Sequence, residues 1–198
     1  ITLLKEQLFK LNNLANELKT SSDKLSQFAR SYANTRNKRW LDLFDYVLLL
    51  RQGKAPLPSE YTLDYWDKLS APNMPLPQID KTIKGISIIE RLENTGIKPI
   101  ELARLRNALA KSDALVNLEN RAFNAMKGLR QDEFGNWNIK GDPDFALARQ
   151  ILFSDDYFAA KANIMTEIEQ AYHSVESRLN NQMHKLKKEY EVVHFANT

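Results

Sequence analysis

Apolar residues recur every seventh position over the first 35 residues. Leu4, Leu11, Leu18, Leu25 and Tyr32 form one row. Leu8, Ala15, Ser22 and Ala29 form the second, with Leu14 and Phe28 widening the stripe. Sustained heptads of this kind predict an amphipathic helix of coiled-coil type, roughly 50 Å long at about 1.5 Å per residue. Residues 155–195 carry a similar stripe in Ile164, Ile168, Val175, Leu179, Leu186 and Val193. Its seam loosens toward the C-terminus: Gln182 and Glu189 occupy apolar positions, and Met183 and Tyr190 shift the stripe round.

Between these ends the pattern is shorter and more broken. Trp40, Leu41, Phe44, Val47, Leu48 and Arg51 predict a helix over 37–52, closed by Gly53. Residues 54–58 read as extended, because each Pro biases its predecessor away from helix. Ser59 reads as the cap of a short helix bearing Tyr61, Tyr65 and Trp66, and 71–80 as a loop with three Pro. A modest helix over 82–95 ends at Gly96, and Pro99 opens a long helix over 99–129. Residues 130–141 form a surface excursion with hairpin character, and Asp142-Pro143 starts a helix over 145–153.

All six Gly and all seven Pro lie between positions 53 and 143, so nothing interrupts a helix at either end. An all-β chain needs turn residues throughout, and this distribution excludes it. The fold class expected is all-α: an elongated antiparallel helical bundle, a single domain over 1–198 with both termini at one end. Long helices over 1–36 and 155–195 would flank shorter helices and loops in 37–154.

Composition narrows the chemistry. With 43% hydrophobic and 27% charged residues the chain reads as folded. A net charge of +3 without a basic run interleaved with aromatics argues against nucleic acid. The densest basic stretch, His184-Lys185-Leu186-Lys187-Lys188, reads either as a solvated helix face or as a segment near anionic headgroups. The absence of Cys removes disulfides, thiolate metal sites and cysteine nucleophiles. His173 and His184 would share a helix face but stand about 16 Å apart, too far to share a metal ion. No nucleophile motif, phosphate loop or acid/base pair stands out, so neither enzyme activity nor a cofactor is expected.

Polarity in the wrong place is the chemical signal. In the 99–129 helix Leu102, Leu109, Val116 and Phe123 form one row, while Leu105, Ser112, Glu119 and Met126 form the other. Ser112 and Glu119 therefore point where packing favours apolar groups. Lys161 shares a row with Ile168 and Val175, one turn beyond Tyr157. Buried charge needs a partner. Three arrangements supply one: a structural Glu119–Lys161 ion pair, partial exposure at a bundle end, or a polar pocket for a small amine, carboxylate or hydroxyl compound. Such a pocket would use Arg30, Ser112, Glu119 and Lys161, with Tyr32, Tyr157 and Trp66 as walls. Tyr61, Tyr65, Trp66 and Trp40 read as core or as a cation cage.

Several segments also occur in the same order in a known group. They are Ser22-Asp23-Lys24-Leu25, Ala29-Arg30-Ser31-Tyr32, Leu50-Arg51-Gln52-Gly53-Lys54-Ala55-Pro56, Tyr65-Trp66-Asp67, Ser112-Asp113-Ala114-Leu115-Val116 with Glu119, Ala122-Phe123-Asn124-Ala125-Met126-Lys127-Gly128, and Tyr157 with Lys161-Ala162-Asn163-Ile164-Met165. Over nearly its whole length the chain resembles the helical extracytoplasmic sensor regions of bacterial transmembrane receptors, chiefly methyl-accepting chemotaxis receptors and some diguanylate cyclases. It departs from them at Thr35-Arg36-Asn37, where similar sequences often run Thr-Gly-Asp, and at Leu57, where they often carry Arg.

The resemblance implies a periplasmic domain of an inner-membrane receptor, with transmembrane helices before Ile1 and after about Val193. The start at Ile1, inside a running helix without an initiator Met, reads as an excised piece. It further implies a homodimer that binds a small solute or a periplasmic binding protein and transmits a piston, rotation or tilt of its end helices. Arg30, Tyr32, Arg51, Tyr65, Trp66, Ser112, Asp113, Glu119, Tyr157 and Lys161 fall in the matching motifs and are the candidate ligand-binding positions. The competing expectation is a non-enzymatic helical adaptor, or the partner-protein-sensing domain of a diguanylate cyclase or histidine kinase.

Overall fold

With no Gly or Pro to stop it, the first helix, α1 (Thr2–Thr35), runs until Arg36 takes a left-handed conformation at φ 60°. The Arg36 amide closes the end on the Tyr32 carbonyl at 2.7 Å. Its guanidinium lies over the Phe145 ring, 3.4 Å from the centroid, a contact that offsets part of the cost of that conformation in a residue with a Cβ. The computed structural model describes all 198 residues. The elements that follow are α2 (Lys38–Arg51), α3 (Tyr65–Leu69), α4 (Ile88–Glu93), α5 (Pro99–Met126), β1 (Leu129–Gln131), β2 (Trp137–Lys140), α6 (Phe145–Leu152) and α7 (Asp155–Ala196). The protein is mostly helical.

The hairpin expected after α5 is present as a two-stranded sheet, the one departure from an all-helical chain. β1 and β2 pair antiparallel, Leu129 opposite Lys140 and Arg130 opposite Ile139, with an irregularity before Gln131. The Asp132 carboxylate holds the turn by accepting from the amides of Phe134 and Asn136 at 2.9 and 2.8 Å. Because the chain enters this ribbon at Leu129, α5 stops at Met126 rather than at 129.

Two further boundaries differ from expectation. Residues 82–87 are not helical. The Gly85 amide donates to the Gly53 carbonyl at 3.1 Å, holding this stretch against the end of α2, so α4 begins only after Ser87 caps the Glu90 amide at 3.2 Å. Gly53 permits that approach, with φ +71° and a place where a Cβ would come within 2.4 Å of the Ser87 nitrogen. The short helix α3 starts at Tyr65, and Ser59 does not cap it. Tyr61 instead precedes the helix and folds back so that its hydroxyl accepts from Trp66 Nε1 at 3.2 Å.

Contacts among the long helices fix their relative order. Along α7, paired residue numbers fall as those of α1 rise: Lys19 with Glu169 (3.1 Å), Asp23 with Lys161 (2.8 Å), Ser26 with Tyr157 (2.8 Å). They fall likewise against α5: Glu101 with Arg178, Lys111 with Glu167, Glu119 with Tyr157. Along α1 and α5 the numbers rise together, Ser22 with Ser112 and Tyr32 with Phe123.

One apolar cluster runs through these contacts. Leu11, Leu18 and Leu25 of α1, Leu105, Leu115 and Phe123 of α5, and Ile164, Ile168, Val175 and Leu179 of α7 are all buried in it. Burial along α7 ends at Leu179. The expected continuation of the seam at Leu186 and Val193 packs on nothing within the chain, and both are exposed. No helix is long and apolar enough to cross a membrane.

Candidate functional site

The polar residues that interrupt the seams meet inside the protein. Ser22 and Ser26 lie one turn apart on α1, and Ser112 and Glu119 two turns apart on α5. Ser22 Oγ and Ser112 Oγ share a hydrogen bond at 3.0 Å. Tyr157 enters from the first turn of α7, which is set by the Ser154 hydroxyl accepting from the Tyr157 amide at 3.2 Å. Its own hydroxyl lies 2.8 Å from Ser26 Oγ and 3.3 Å from Glu119 Oε2. Ser22, Ser26, Ser112, Glu119 and Tyr157 are all buried, so a line of polar groups crosses α1, α5 and α7 in the core.

That line favours a proton on Glu119. Burial pushes its carboxyl up to about 8; the Tyr157 bond and the fields of Arg51, Lys161 and Arg30 oppose the shift without cancelling it. Donor counting admits two arrangements, because the Ser26 hydroxyl can donate as well as accept. A protonated Glu119 donates to Tyr157, which donates to Ser26; with Glu119 ionised, Ser26 donates to Tyr157, which donates to Glu119. Burial, with Glu119 next, pushes the Tyr157 hydroxyl up as well, so it stays protonated.

Two arginines flank the line. Arg51, in the last turn of α2, is 4% exposed, yet none of its three guanidinium nitrogens has a hydrogen-bond partner. Burial pulls its pKa down, against the fields of Asp113 and Glu119. Arg30 Nε donates to the Leu152 carbonyl at 2.9 Å, and its guanidinium lies among the rings of Phe153, Tyr157 and Phe158, 4.3–4.9 Å from their centroids. Its Nη2 is buried without a partner.

Lys161 does not pair with Glu119. Its Nζ bonds Asp23 of α1 at 2.8 Å, at the edge of the core. A seven-residue row drifts by about 20° per heptad on a straight helix, which turns Lys161 off the row of Ile168 toward α1. The Glu119–Lys161 ion pair is therefore replaced by two separate interactions, Glu119 with Tyr157 and Lys161 with Asp23. Beside the latter a groove of about 640 Å³ opens between α1 and α7, lined by Asp23, Ser26, Gln27, Arg30, Phe153 and Lys161 among others. The polar line ends just beneath it, at Ser26, which lines the groove but is itself buried.

The remaining candidates lie elsewhere. Tyr65 and Trp66 belong to an aromatic cluster with Tyr46 and Tyr61, and Phe28 stacks on Trp40 and meets Trp66 edge-on. Tyr46 and Tyr65 share a hydroxyl–hydroxyl bond at 3.1 Å. Tyr32 packs edge-on against Phe123, with centroids 5.4 Å apart. Asp113 is exposed on α5 beside Ser112. Sequence reasoning missed Ser26, Asp23 and two of the rings around Arg30, Phe153 and Phe158. Ser26 was visible as the residue one turn beyond Ser22; the others come together only across helices.

No group of three or more His, Asp or Glu side chains is placed to hold a metal ion. Compared with models of known protein families, with curated proteins and with solved structures, the chain matches none.

Proposed function

We propose that this chain is the extracytoplasmic sensor domain of a bacterial transmembrane signalling receptor, of the kind found in methyl-accepting chemotaxis receptors. In this reading it is an elongated antiparallel bundle in the periplasm, its end helices joined to the inner membrane, with no enzyme activity of its own. A small solute binds at the groove beside Arg30 and Lys161, and the response travels as a shift of α7 against α1.

The observation that carries the reading is the polar line through Ser26, Tyr157 and Glu119, which joins the three long helices and ends at Ser26 beneath that groove. Its hydrogen bonds have two arrangements, set by whether Glu119 holds a proton. A ligand acts on such an element through its differential affinity for the two states. The exposed Leu186, Tyr190 and Val193 on the last turns of α7 support a homodimer that covers them.

The decisive experiment uses the full-length receptor from the parent gene. Apolar stretches of about 20 residues on both sides of this domain are required. Tyr157→Phe and Glu119→Gln should each bias the output in the absence of solute. Thermal-shift screening with amino acids, organic acids, amines and purines should find a compound that raises Tm by several degrees, an effect lost in Lys161→Ala. Missing flanking spans, or output indifferent to both core variants, would overturn the proposal. The same exposed apolar turns also favour a second reading, a partner-protein-sensing domain of a diguanylate cyclase or histidine kinase. A flat solute response with a tightly bound periplasmic protein would select it.

A further inference from the structure

A second cleft lies farther up α1, where residues 61–66 cross it. It has a volume of about 370 Å³, within the range of small-molecule pockets. Asn13, Asn16, Glu17 and Thr20 line one side at helical spacing, and Tyr61 and Trp66 line the other. The heptad pattern does not single out this polar face, and the line through Tyr157 does not use it.

The chemistry of the lining is specific in what it leaves out. The Glu17 carboxylate is held by both terminal nitrogens of Arg91, each at 2.6 Å, so neither charge is free to recruit an ion. A zwitterion or an organic anion finds no unpaired cation in the lining. A planar base finds no open ring to stack on, because Trp66 is 1% exposed and Tyr61 meets Trp66 and Tyr65 edge-on. What the cleft offers is hydrogen bonds. The amides of Asn13 and Asn16 and the hydroxyl of Thr20 have no partner within the chain. Each Glu17 oxygen keeps a lone pair beyond its Arg91 bond. The Tyr61 hydroxyl accepts from Trp66 and keeps its proton to donate.

We infer that this cleft binds a neutral, hydroxyl-rich small molecule, of the size and chemistry of a monosaccharide or cyclic polyol. Amides and a fixed carboxylate match paired hydroxyls, which donate and accept at once, and the Tyr61 hydroxyl adds one more donor. Thr20 also lines the groove between α1 and α7, so an occupied cleft would act on the helix that carries Ser22 and Ser26. The inference goes beyond the sensor reading and does not rest on it.

Isothermal titration of the protein with D-glucose, D-ribose and myo-inositol at millimolar concentration tests it, with D-gluconate and L-lysine as charged comparators. At least one neutral compound should bind, and Asn16→Leu should weaken it by about tenfold or more, equivalent to ~1.4 kcal/mol. Circular dichroism establishes that the variant is folded; if it is not, Asn13→Ala at an exposed position serves the same comparison. No heat from any neutral compound, tighter binding of gluconate than of glucose, or unchanged affinity in the folded variant overturns the inference. None of these outcomes bears on the output of the Glu119 and Tyr157 variants.

Discussion

The Tyr157 hydroxyl stands 3.3 Å from the Glu119 carboxylate, and the two residues are 0% and 1% exposed. An acid in that setting holds its proton far longer than it does in an unfolded chain. Stability should depend on pH in a direction unlike that of most carboxylates.

With the folded pKa of Glu119 raised to about 8 from an ordinary 4.5, its contribution to stability is complete below about pH 4.5. It declines as pH rises toward about 8, because the unfolded chain releases the proton first. Glu119→Gln keeps the shape and removes the titration. Thermal melts from acid to mildly alkaline pH should show the variant gaining on the native protein as pH rises. Parallel curves across that range would mean that Glu119 is ionised in the fold.

Arg51 should behave as a buried charge that weakens the fold. Exchanging a buried ionic group for an apolar residue of similar volume is often neutral, or stabilising by about 1–4 kcal/mol. Arg51→Met is expected to raise the urea midpoint or leave it unchanged. A loss of about 2 kcal/mol or more would show that the guanidinium of this 4% exposed residue has a partner.

Arg178 should matter in the opposite sense. Its Nε and Nη2 donate to Glu101 at 2.9 and 2.8 Å, and the Glu101 side chain is 7% exposed. Burial pushes that carboxyl up, but the Arg178 bonds and the Lys98 amide outweigh it and hold it below the usual range. Arg178→Ala strands the carboxylate and should cost about 2–3 kcal/mol near neutral pH, the scale of a lost charged hydrogen bond. The difference should shrink as pH falls below the ordinary carboxylate range, where the depressed group takes up its proton. Denaturant titrations at neutral and acid pH measure both effects.

Gly53 and Gly135 make a paired test of backbone geometry. Both have positive φ, +71° and +83°, but a Cβ at 53 would strike Ser87 whereas at 135 nothing lies within 4 Å. Gly135→Ala should cost about 1 kcal/mol from conformation alone. Gly53→Ala should cost more, because residues 85–87 must also move off the end of α2. Equal losses in urea unfolding would refute the close approach.

The heptad rows foretold much of the interior. Leu11, Leu18 and Leu25 are buried where the repeat put them, as are Ile164, Ile168, Val175 and Leu179. Burial of Ser112 and Glu119 followed from the same arithmetic. Their partners did not, because a row locates a residue on its own helix and is silent about which helix faces it. Lys161 shows the limit: a drift of a fraction of a turn moved it from Glu119 to Asp23. The ribbon after α5 was legible as hairpin character but not in its register. Its strands of three and four residues are too short for a period, and the Asp132–Asn136 turn is what marks them. Leu186 and Val193 carry the apolar signal without burial, since hydrophobic spacing does not say whether the facing surface belongs to the same chain.

Helix α7 is held over one half and free over the other. Its buried residues run from Tyr157 to Leu179, and nothing past Leu179 is buried. From Leu179 to Ala196 the helix runs on for roughly 26 Å at about 1.5 Å per residue. Over that length a tilt of about two degrees displaces the far tip by roughly 1 Å. The direction that the packed half takes is thus magnified at the distant end to a displacement of atomic size.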